Sequence, residues 1–209
     1  MSDCIRLNNV EKSFNGRTIL SNTNIKINDT NHVYLVGTSG KGKTTLLNII
    51  ARMLDPDVGT ITLNDLPMGK DVRPNIISYM PCGDTLIESL TVYENLLLSK
   101  RVNLFSYELP ELTKRIKRIL VELKIDNIAK SYPREISSGE YKRVCFARTI
   151  IQDGKYLLFD EPTSNLDEES AGLIINMFKN DAFKDKAVIV ATHDSRLIEI
   201  GKKKEVISL

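Results

Sequence analysis

With 209 residues, of which 42% are hydrophobic and 27% charged, the chain is large enough for one globular domain with a full core. Its formal net charge of +2 gives no indication of a nucleic acid or an anionic membrane surface as a partner. Its three cysteines, Cys4, Cys82 and Cys145, form no CxxC pair, which argues against a zinc site or a disulfide framework.

The strands predicted from the sequence are of two kinds. Segments that alternate apolar and polar residues are typical of an antiparallel sheet with one exposed face, and they lie at residues 5–7, 25–27 and 60–63. Continuously apolar runs fit central parallel strands covered on both faces, and they lie at residues 32–36, 156–159 and 187–191. A last strand is predicted at residues 204–209. Because helical patterns separate these strands, the sequence predicts an α/β fold.

Two helical regions are predicted, at residues 44–53 and over most of residues 85–130. The second contains an amphipathic helix with an apolar face that repeats at helical spacing. That face consists of Leu112, Ile116, Ile119, Leu120 and Leu123. Lys114, Lys117 and Arg118 lie on the opposite face, which we interpret as a solvated surface and not as a binding patch.

Residues 37–44 read Gly-Thr-Ser-Gly-Lys-Gly-Lys-Thr and fit the pattern G-x-x-x-x-G-K-[ST] of a phosphate-binding loop. They lie between a predicted strand and a predicted helix, where backbone N–H groups and the helix dipole bind phosphate. Lys43 is expected to reach the β- and γ-phosphates, and Thr44 to hold Mg²⁺ through its hydroxyl. The alternative is an ordinary glycine-rich turn. The other nucleotide-binding candidates of this stretch are Gly37, Thr38, Ser39, Gly40, Lys41, Gly42 and Thr45.

Acidic residues follow the apolar strand at residues 156–159. Asp160 is expected to complete the Mg²⁺ environment, and Glu161 to act on an attacking water as general base or as its positioner. The alternative is a surface Asp-Glu pair that begins a loop. His193 follows the strand at residues 187–191, where it can contact a γ-phosphate. The other histidine, His32, is interpreted as structural.

Residues 136–144 read Ile-Ser-Ser-Gly-Glu-Tyr-Lys-Arg-Val and resemble the LSGGQ signature of ABC ATPases. The order of motifs also resembles that family: phosphate loop, helical arm, signature, acidic strand end, Ser-Asn-Leu-Asp at residues 164–167, and histidine. The resemblance covers essentially the whole chain. It implies a P-loop NTPase core with a mainly parallel sheet, at residues 1–82 and 131–209, with an N-terminal antiparallel β-subdomain. It also implies a helical subdomain inserted at residues 83–130.

The resemblance implies ATP and Mg²⁺ as cofactors, and dimerisation around two ATP molecules with a second copy or a paralogous ATPase subunit. The signature residues Ser137, Gly139 and Glu140 would then act on the ATP of the facing subunit, because a helix start can bind an anion. Phe14 matches the aromatic residue that stacks on adenine, the alternative being a core aromatic. Residues 164–167 match the loop that crosses to the facing subunit, and residues 90–95 match the start of the helical arm.

Two positions depart from the family pattern. Cys82 stands where the family usually has a glutamine that touches Mg²⁺ and the attacking water, and a thiol is a poor ligand for Mg²⁺. We therefore predict slower or differently coupled hydrolysis, with redox sensing by Cys82 as an alternative. Ser138 stands where the signature usually has its first glycine, and it would cost roughly 1 kcal/mol or more if that position needs a positive φ.

The leading prediction is the ATP-hydrolysing motor subunit of an ABC transporter. Residues 90–95 and the short single-domain layout resemble bacterial exporters and efflux systems. Integral membrane permease subunits would be separate partners, because no signal peptide and no apolar run long enough to span a bilayer is recognised. The predicted location is cytoplasmic, at the inner face of the membrane. The rival is a soluble ABC ATPase of the iron–sulfur assembly type, which the departure at Cys82 keeps open.

Overall fold

The computed structural model describes residues 3–38, 40–69, 76–83, 85–100, 108–179, 183, 185–200 and 204–209. The predicted nucleotide-binding residue Ser39 lies outside these ranges. An antiparallel four-stranded sheet has the order β2–β1–β4–β5. Its strands are β1 (Cys4–Phe14), β2 (Arg17–Asn28), β4 (Val58–Leu63) and β5 (Leu66–Pro67). These strands include the three segments whose alternating pattern predicted an antiparallel sheet.

A second sheet has five strands in the order β6–β7–β8–β3–β9, and every pair in it is parallel. Its strands are β3 (His32–Val36), β6 (Ile77–Met80), β7 (Tyr156–Asp160), β8 (Ala187–Ala191) and β9 (Lys204–Ser208). All residues of β7 and β8 are buried, as their continuous apolar pattern predicted. The carboxyl ends of parallel strands share one edge of a sheet, so the segments that follow β3, β7 and β8 meet there.

Helices pack on the parallel sheet, and the two described helices within residues 90–123 are called the arm. The described helices are α1 (Lys43–Ile50), α2 (Val92–Ser99), α3 (Glu108–Glu122), α4 (Ser138–Gln152), α5 (Glu168–Lys179) and α6 (Ser195–Ile200), with a short 3₁₀ helix at Pro133–Glu135. The helix predicted to extend to residue 53 ends earlier, at Ile50. Ala51 caps it, and Arg52 takes a left-handed φ of 56° that stops the helical path. No described helix is long and apolar enough to span a membrane.

The core is divided between the two sides of the parallel sheet. One cluster joins α1 with β1, β2 and the near face of the parallel strands. The other joins α2, α3, α4 and α5 with the opposite face, and at its centre four rings pack edge to face or tilted, with centroid distances of 5.1–6.4 Å between neighbours. These rings belong to Phe146, Phe159, Phe178 and Phe183. Burial of aromatic side chains on this scale is a main source of folding free energy.

The apolar face predicted for α3 is buried, and Lys114, Lys117 and Arg118 are exposed, as expected. The helix α2 begins with a capping box, in which Thr91 and Glu94 bond reciprocally. Behind it, Asn95 is 2% exposed, and its amide bonds the backbone of Ile87 at both N–H and C=O. A buried amide with these partners fixes the entry of the chain into the arm.

Charged residues connect the arm to the sheet. The carboxylate of Asp153, which follows α4, lies 3.2 Å from Lys100, 3.0 Å from Arg115 and 2.9 Å from Lys186. Burial raises the pKa of Asp153, but hydrogen bonds from Arg115 and Lys186 and their charges outweigh it and hold that pKa well below its usual range. Lys100 and Arg115 belong to the arm and Lys186 precedes β8, so Asp153 stays charged and joins both parts.

Candidate nucleotide site

The phosphate loop joins β3 to α1 and leaves the start of that helix uncapped. Gly42 is the N-cap residue, and no side chain caps the first turn. The first N–H with a partner in the helix is that of Leu46, which donates to the carbonyl of Gly42 at 2.8 Å. The N–H groups of Lys43, Thr44 and Thr45 are therefore those that a helix start offers to an anion.

Gly42 is required by its backbone and by its neighbours. Its φ is 91°, and a Cβ atom there would lie 2.9 Å from Cδ2 of Leu20 and 3.0 Å from Cγ2 of Ile19. Gly40 has a φ of 79° but nothing within 4 Å of the same atom. The loop is thus pressed against β2 at Gly42 and open at Gly40.

These two glycines give a matched pair of variants. We expect Gly42→Ala to lower the free energy of unfolding by about 2–4 kcal/mol, from the left-handed backbone and the contact with β2 together. Gly40→Ala should cost only about 1–2 kcal/mol, because the backbone term acts alone. Urea unfolding of both variants measures the difference. Equal losses would show that contact with β2 does not hold the loop.

A cleft of about 620 Å³ lies over the loop and the ends of β7 and β8. It contains most of the predicted site residues, together with Ile19, which no motif indicated. The described residues that line it are Phe14, Ile19, Gly37, Thr38, Gly40, Gly42, Lys43, Thr44, Thr45, Cys82, Asp160, Glu161 and His193. Phe14 is 45% exposed at this cleft, which excludes its interpretation as a core aromatic. The predicted residue Lys41 is exposed and is not part of this lining.

Lys43 lies at the floor of the cleft with its ammonium group held by the loop itself. Nζ donates to the carbonyl of Gly37 at 2.7 Å and to that of Thr38 at 3.3 Å. It also lies 4.0 Å from Oε1 of Glu161. The cation is therefore positioned between the loop and the acidic end of β7, where phosphate oxygens would compete for it.

Asp160 is completely buried at the end of β7, and neither carboxylate oxygen has a hydrogen bond of ordinary geometry. Burial raises the pKa of Asp160, while the Thr44 hydroxyl and the Cys82 N–H lie near enough to act in the opposite direction. A buried carboxylate without partners is costly unless a further group satisfies it. Two hard oxygen donors, on Thr44 and Asp160, suit Mg²⁺.

Glu161 has the left-handed φ of 49°, which is unusual for a residue with a side chain and costs of order 1–3 kcal/mol. Its backbone N–H donates to the carbonyl of Ala191 at 2.8 Å. Oε2 lies 2.9 Å from Nδ1 of His193, whose side chain is 72% exposed, without the alignment of a hydrogen bond. The carboxylate and the imidazole thus face the cleft side by side.

Hydrogen bonds connect the loop that carries Glu161 with the loop that carries His193. The hydroxyl of Thr163 donates to Oδ2 of Asp194 at 2.9 Å, and Arg196 holds both oxygens of the same carboxylate. The hydrogen bond from Arg196 is the main cause that lowers the pKa of Asp194. Motif reasoning missed Thr163 and Asp194, although each lies within two residues of a predicted site residue.

The signature residues lie at the start of α4 and are not among the residues that line this cleft. Ser137 is the N-cap, and Glu140 accepts from its N–H at 2.9 Å and from its hydroxyl at 2.8 Å. Those bonds lower the pKa of Glu140. Gly139 has room at the helix surface, with nothing closer than 3.5 Å to an added Cβ. Ser138 begins α4 as a helical residue, so the cost foreseen for a positive φ does not arise.

Cys82 is exposed and lines two neighbouring spaces. One is the cleft above, and the other is a pocket of about 550 Å³ that it shares with Lys142 and Ser164. Cys82 follows β6, the edge strand beside β7, and its N–H is close to Asp160. The backbone of Cys82 thus lies next to Asp160, the carboxylate that the sequence predicts to hold Mg²⁺. His32 lies elsewhere, with Nε2 at 3.4 Å from the carbonyl of Phe183.

Comparison with known proteins shows which family of proteins this sequence is similar to. The ABC transporter family model matches residues 20–164. The L-cystine transport system ATP-binding protein TcyN of Escherichia coli is 30% identical over 202 residues, covering 91% of this chain and 80% of that protein. The cell division ATP-binding protein FtsE of Streptococcus pneumoniae is 27% identical over 195 residues, covering 90% of this chain and 84% of that protein.

Solved structures give the same result for the fold. The dimeric structure of MJ0796, a bacterial ABC transporter cassette, superposes with a TM-score of 0.84 at 28% identity, covering 98% of this chain and 94% of that one. A post-hydrolysis state of the same cassette bound to ADP and Pi matches with the same TM-score, 0.84.

Proposed function

The chain belongs to the ABC transporter family as an ATP-binding and ATP-hydrolysing subunit, and we propose that it drives a separate membrane-spanning partner by closing, as a dimer, over two ATP molecules. One observation carries the proposal. The uncapped start of α1 and the acidic end of β7 converge on one cleft, where neither oxygen of the buried Asp160 has a hydrogen bond of ordinary geometry. Phosphate binding and a divalent cation together would satisfy both groups.

In this proposal the N–H groups at residues 43–45 and the Lys43 ammonium bind the phosphates, and Phe14 stacks on the adenine ring. Thr44 and Asp160 would hold Mg²⁺, which supplies charge neutralisation at the phosphates when bound. Glu161 accepts a proton from the attacking water or orients it, and its carboxylate lies 2.9 Å from His193 at the same cleft.

The second half of each site is proposed to come from a facing subunit. At the start of α4 the Ser137 hydroxyl accepts from the N–H of Glu140 at 3.3 Å, while the N–H groups of Ser138 and Gly139 have no acceptor within the helix. Because this helix start lies outside its own cleft, it suits an anion that another chain holds. A two-fold dimer brings each such helix start to the opposite cleft. The partner would be a second copy or a paralogous ATPase subunit. Within each chain we assign residues 83–130 as the helical subdomain and the flanking parts as the nucleotide-binding core.

The membrane partner is tested by recovery of tagged Glu161→Gln protein from detergent-solubilised cells in the presence of ATP. The closed dimer should persist in this variant and retain its partner. We expect an integral membrane protein, with the complex at the inner face of the membrane, and an exporter-type system on the resemblance of residues 90–95. Lys43→Ala is the matched control, because this variant should not bind ATP tightly. Less of the membrane protein should be recovered with it.

Recovery of soluble partners alone would instead favour the soluble ABC ATPase. One observation keeps this second function open, namely Cys82 at the junction of the cleft and the neighbouring pocket. In this chain a thiol stands at the position where the family usually has the glutamine that leads toward the membrane partner.

Replacing Cys82 by glutamine is expected to raise kcat for ATP hydrolysis by roughly two- to ten-fold, because one added hydrogen bond near the metal and the water is worth about 0.5–1.5 kcal/mol. Steady-state phosphate release measures it. Cys82→Ala should stay near the wild-type rate, since a thiol is a weak hydrogen-bonding group. An unchanged or lower rate for Cys82→Gln would contradict the explanation.

A further inference from the structure

A chain of hydrogen bonds connects α4 to the main chain of Glu161. Nζ of Lys142 donates to Oγ of Ser164 at 3.1 Å, and that hydroxyl donates to the carbonyl of Glu161 at 2.9 Å. The N–H of Ser164 donates to the same carbonyl at 3.2 Å. The direction of the chain is fixed, because an ammonium group can only donate and a hydroxyl has one proton.

The backbone of Glu161 needs such support. Its left-handed φ of 49° is disfavoured for a residue with a Cβ atom and persists only where the surroundings hold it. The N–H of Glu161 donates to the carbonyl of Ala191 in β8. The carbonyl of Glu161, which accepts from Ser164, is the second group that holds its main chain in place. A donating ammonium also polarises the Ser164 hydroxyl and strengthens its bond to the carbonyl.

We propose that Lys142 and Ser164 are positioning residues for hydrolysis, which keep Glu161 in the conformation that directs its carboxylate into the cleft. This inference rests on the role proposed for Glu161. Neither Lys142 nor Ser164 is among the described residues that line the nucleotide cleft, and both line the neighbouring pocket. Their removal should therefore change the rate of hydrolysis and leave the affinity of a single subunit for ATP unchanged.

The test combines single and double variants. Ser164→Ala is expected to lower kcat about ten-fold, and Lys142→Met about three-fold, with the Kd for ATP within about two-fold of wild type. Ser164→Thr and Lys142→Arg keep the donors and should restore most of the rate. Because the hydrogen bond of Lys142 acts through the hydroxyl, Lys142→Met added to Ser164→Ala should lower kcat much less than it does in the wild type, leaving only what the charge of Lys142 contributes at Asp160. Lys117→Met, at an exposed lysine of α3, is the control for charge and should leave kcat unchanged.

A second measurement does not depend on activity. Amide hydrogen exchange at residues 161 and 163–165 should be faster in Ser164→Ala, because the carbonyl of Glu161 has lost one of its hydrogen bonds. Unchanged exchange together with wild-type kcat would overturn the inference, as would additive effects in the double variant or a parallel loss of ATP affinity. The Glu161→Gln variant in the same series reports separately on the proposed function, since its retention of wild-type hydrolysis would remove the role of Glu161 itself.

Discussion

Replacing Glu161 by glutamine is expected to lower kcat for ATP hydrolysis by about 10²–10⁴-fold, the usual contribution of a general base. Glutamine has nearly the same shape and can occupy the same left-handed backbone, so the cleft should still bind ATP. The amide cannot accept a proton from water, however, and the contact of 2.9 Å with His193 loses its charge. Single-turnover hydrolysis with radiolabelled ATP measures the effect.

This variant should also accumulate as a dimer when ATP is present. Because ATP is proposed to bind between two subunits, slow hydrolysis leaves the closed form populated, which size-exclusion chromatography with light scattering detects. Glu111→Gln is the matched control, since Glu111 lies on the exposed face of α3, is 75% exposed and pairs only with Lys114 among the described ion pairs. A Glu161→Gln protein that hydrolyses ATP at the wild-type rate would exclude Glu161 as the base.

Replacing Lys43 by alanine is expected to weaken ATP binding by at least about 2 kcal/mol, roughly thirty-fold in Kd. The side chain of Lys43 is 9% exposed, and its ammonium group bonds the carbonyls of Gly37 and Thr38 in the cleft. Its loss therefore removes a positive charge from the phosphate site and leaves loop carbonyls without a donor. Calorimetric titration with ATP measures Kd, and hydrolysis should fall in parallel.

The control for this substitution is Lys114→Ala, which removes the same charge from an exposed position of α3. Its Kd for ATP should remain within about two-fold of wild type, because Lys114 does not line the cleft and an exposed charge is screened by salt. Wild-type affinity in Lys43→Ala would show that backbone N–H groups alone bind the phosphates. The role proposed for the Lys43 ammonium group in binding phosphate would then be wrong.

Local chemistry explains why the phosphate loop was predictable. A helix start binds phosphate through contiguous backbone N–H groups, so glycines, a lysine and a threonine adjacent in sequence are enough to predict where such a loop lies. The acidic end of β7 was predictable for a related reason. A strand that is buried along its length, as β7 is, has no use for Asp160 unless a cation or a ligand meets it.

The sheet assignment was predictable from alternation and continuity, because a sheet with one exposed face and a sheet covered on both faces leave different patterns. The end of α1 was not, since residues 51–53 are ordinary helix formers and the chain leaves the helix through the left-handed Arg52. Propensity alone carries too little free energy to place such a boundary.

The sequence by itself therefore determined the α/β class, the phosphate loop, the acidic strand end and the order of motifs that resembles the ABC family. Only the tertiary structure decided how these parts support one another: Gly42 against β2, Thr163 with Asp194, and Lys142 through Ser164 to Glu161. The physical reason is that each of these contacts joins residues that are distant in sequence or ordinary in type. Their roles arise from distances and directions that form only when α1, α4, β2, β7 and β8 have packed together.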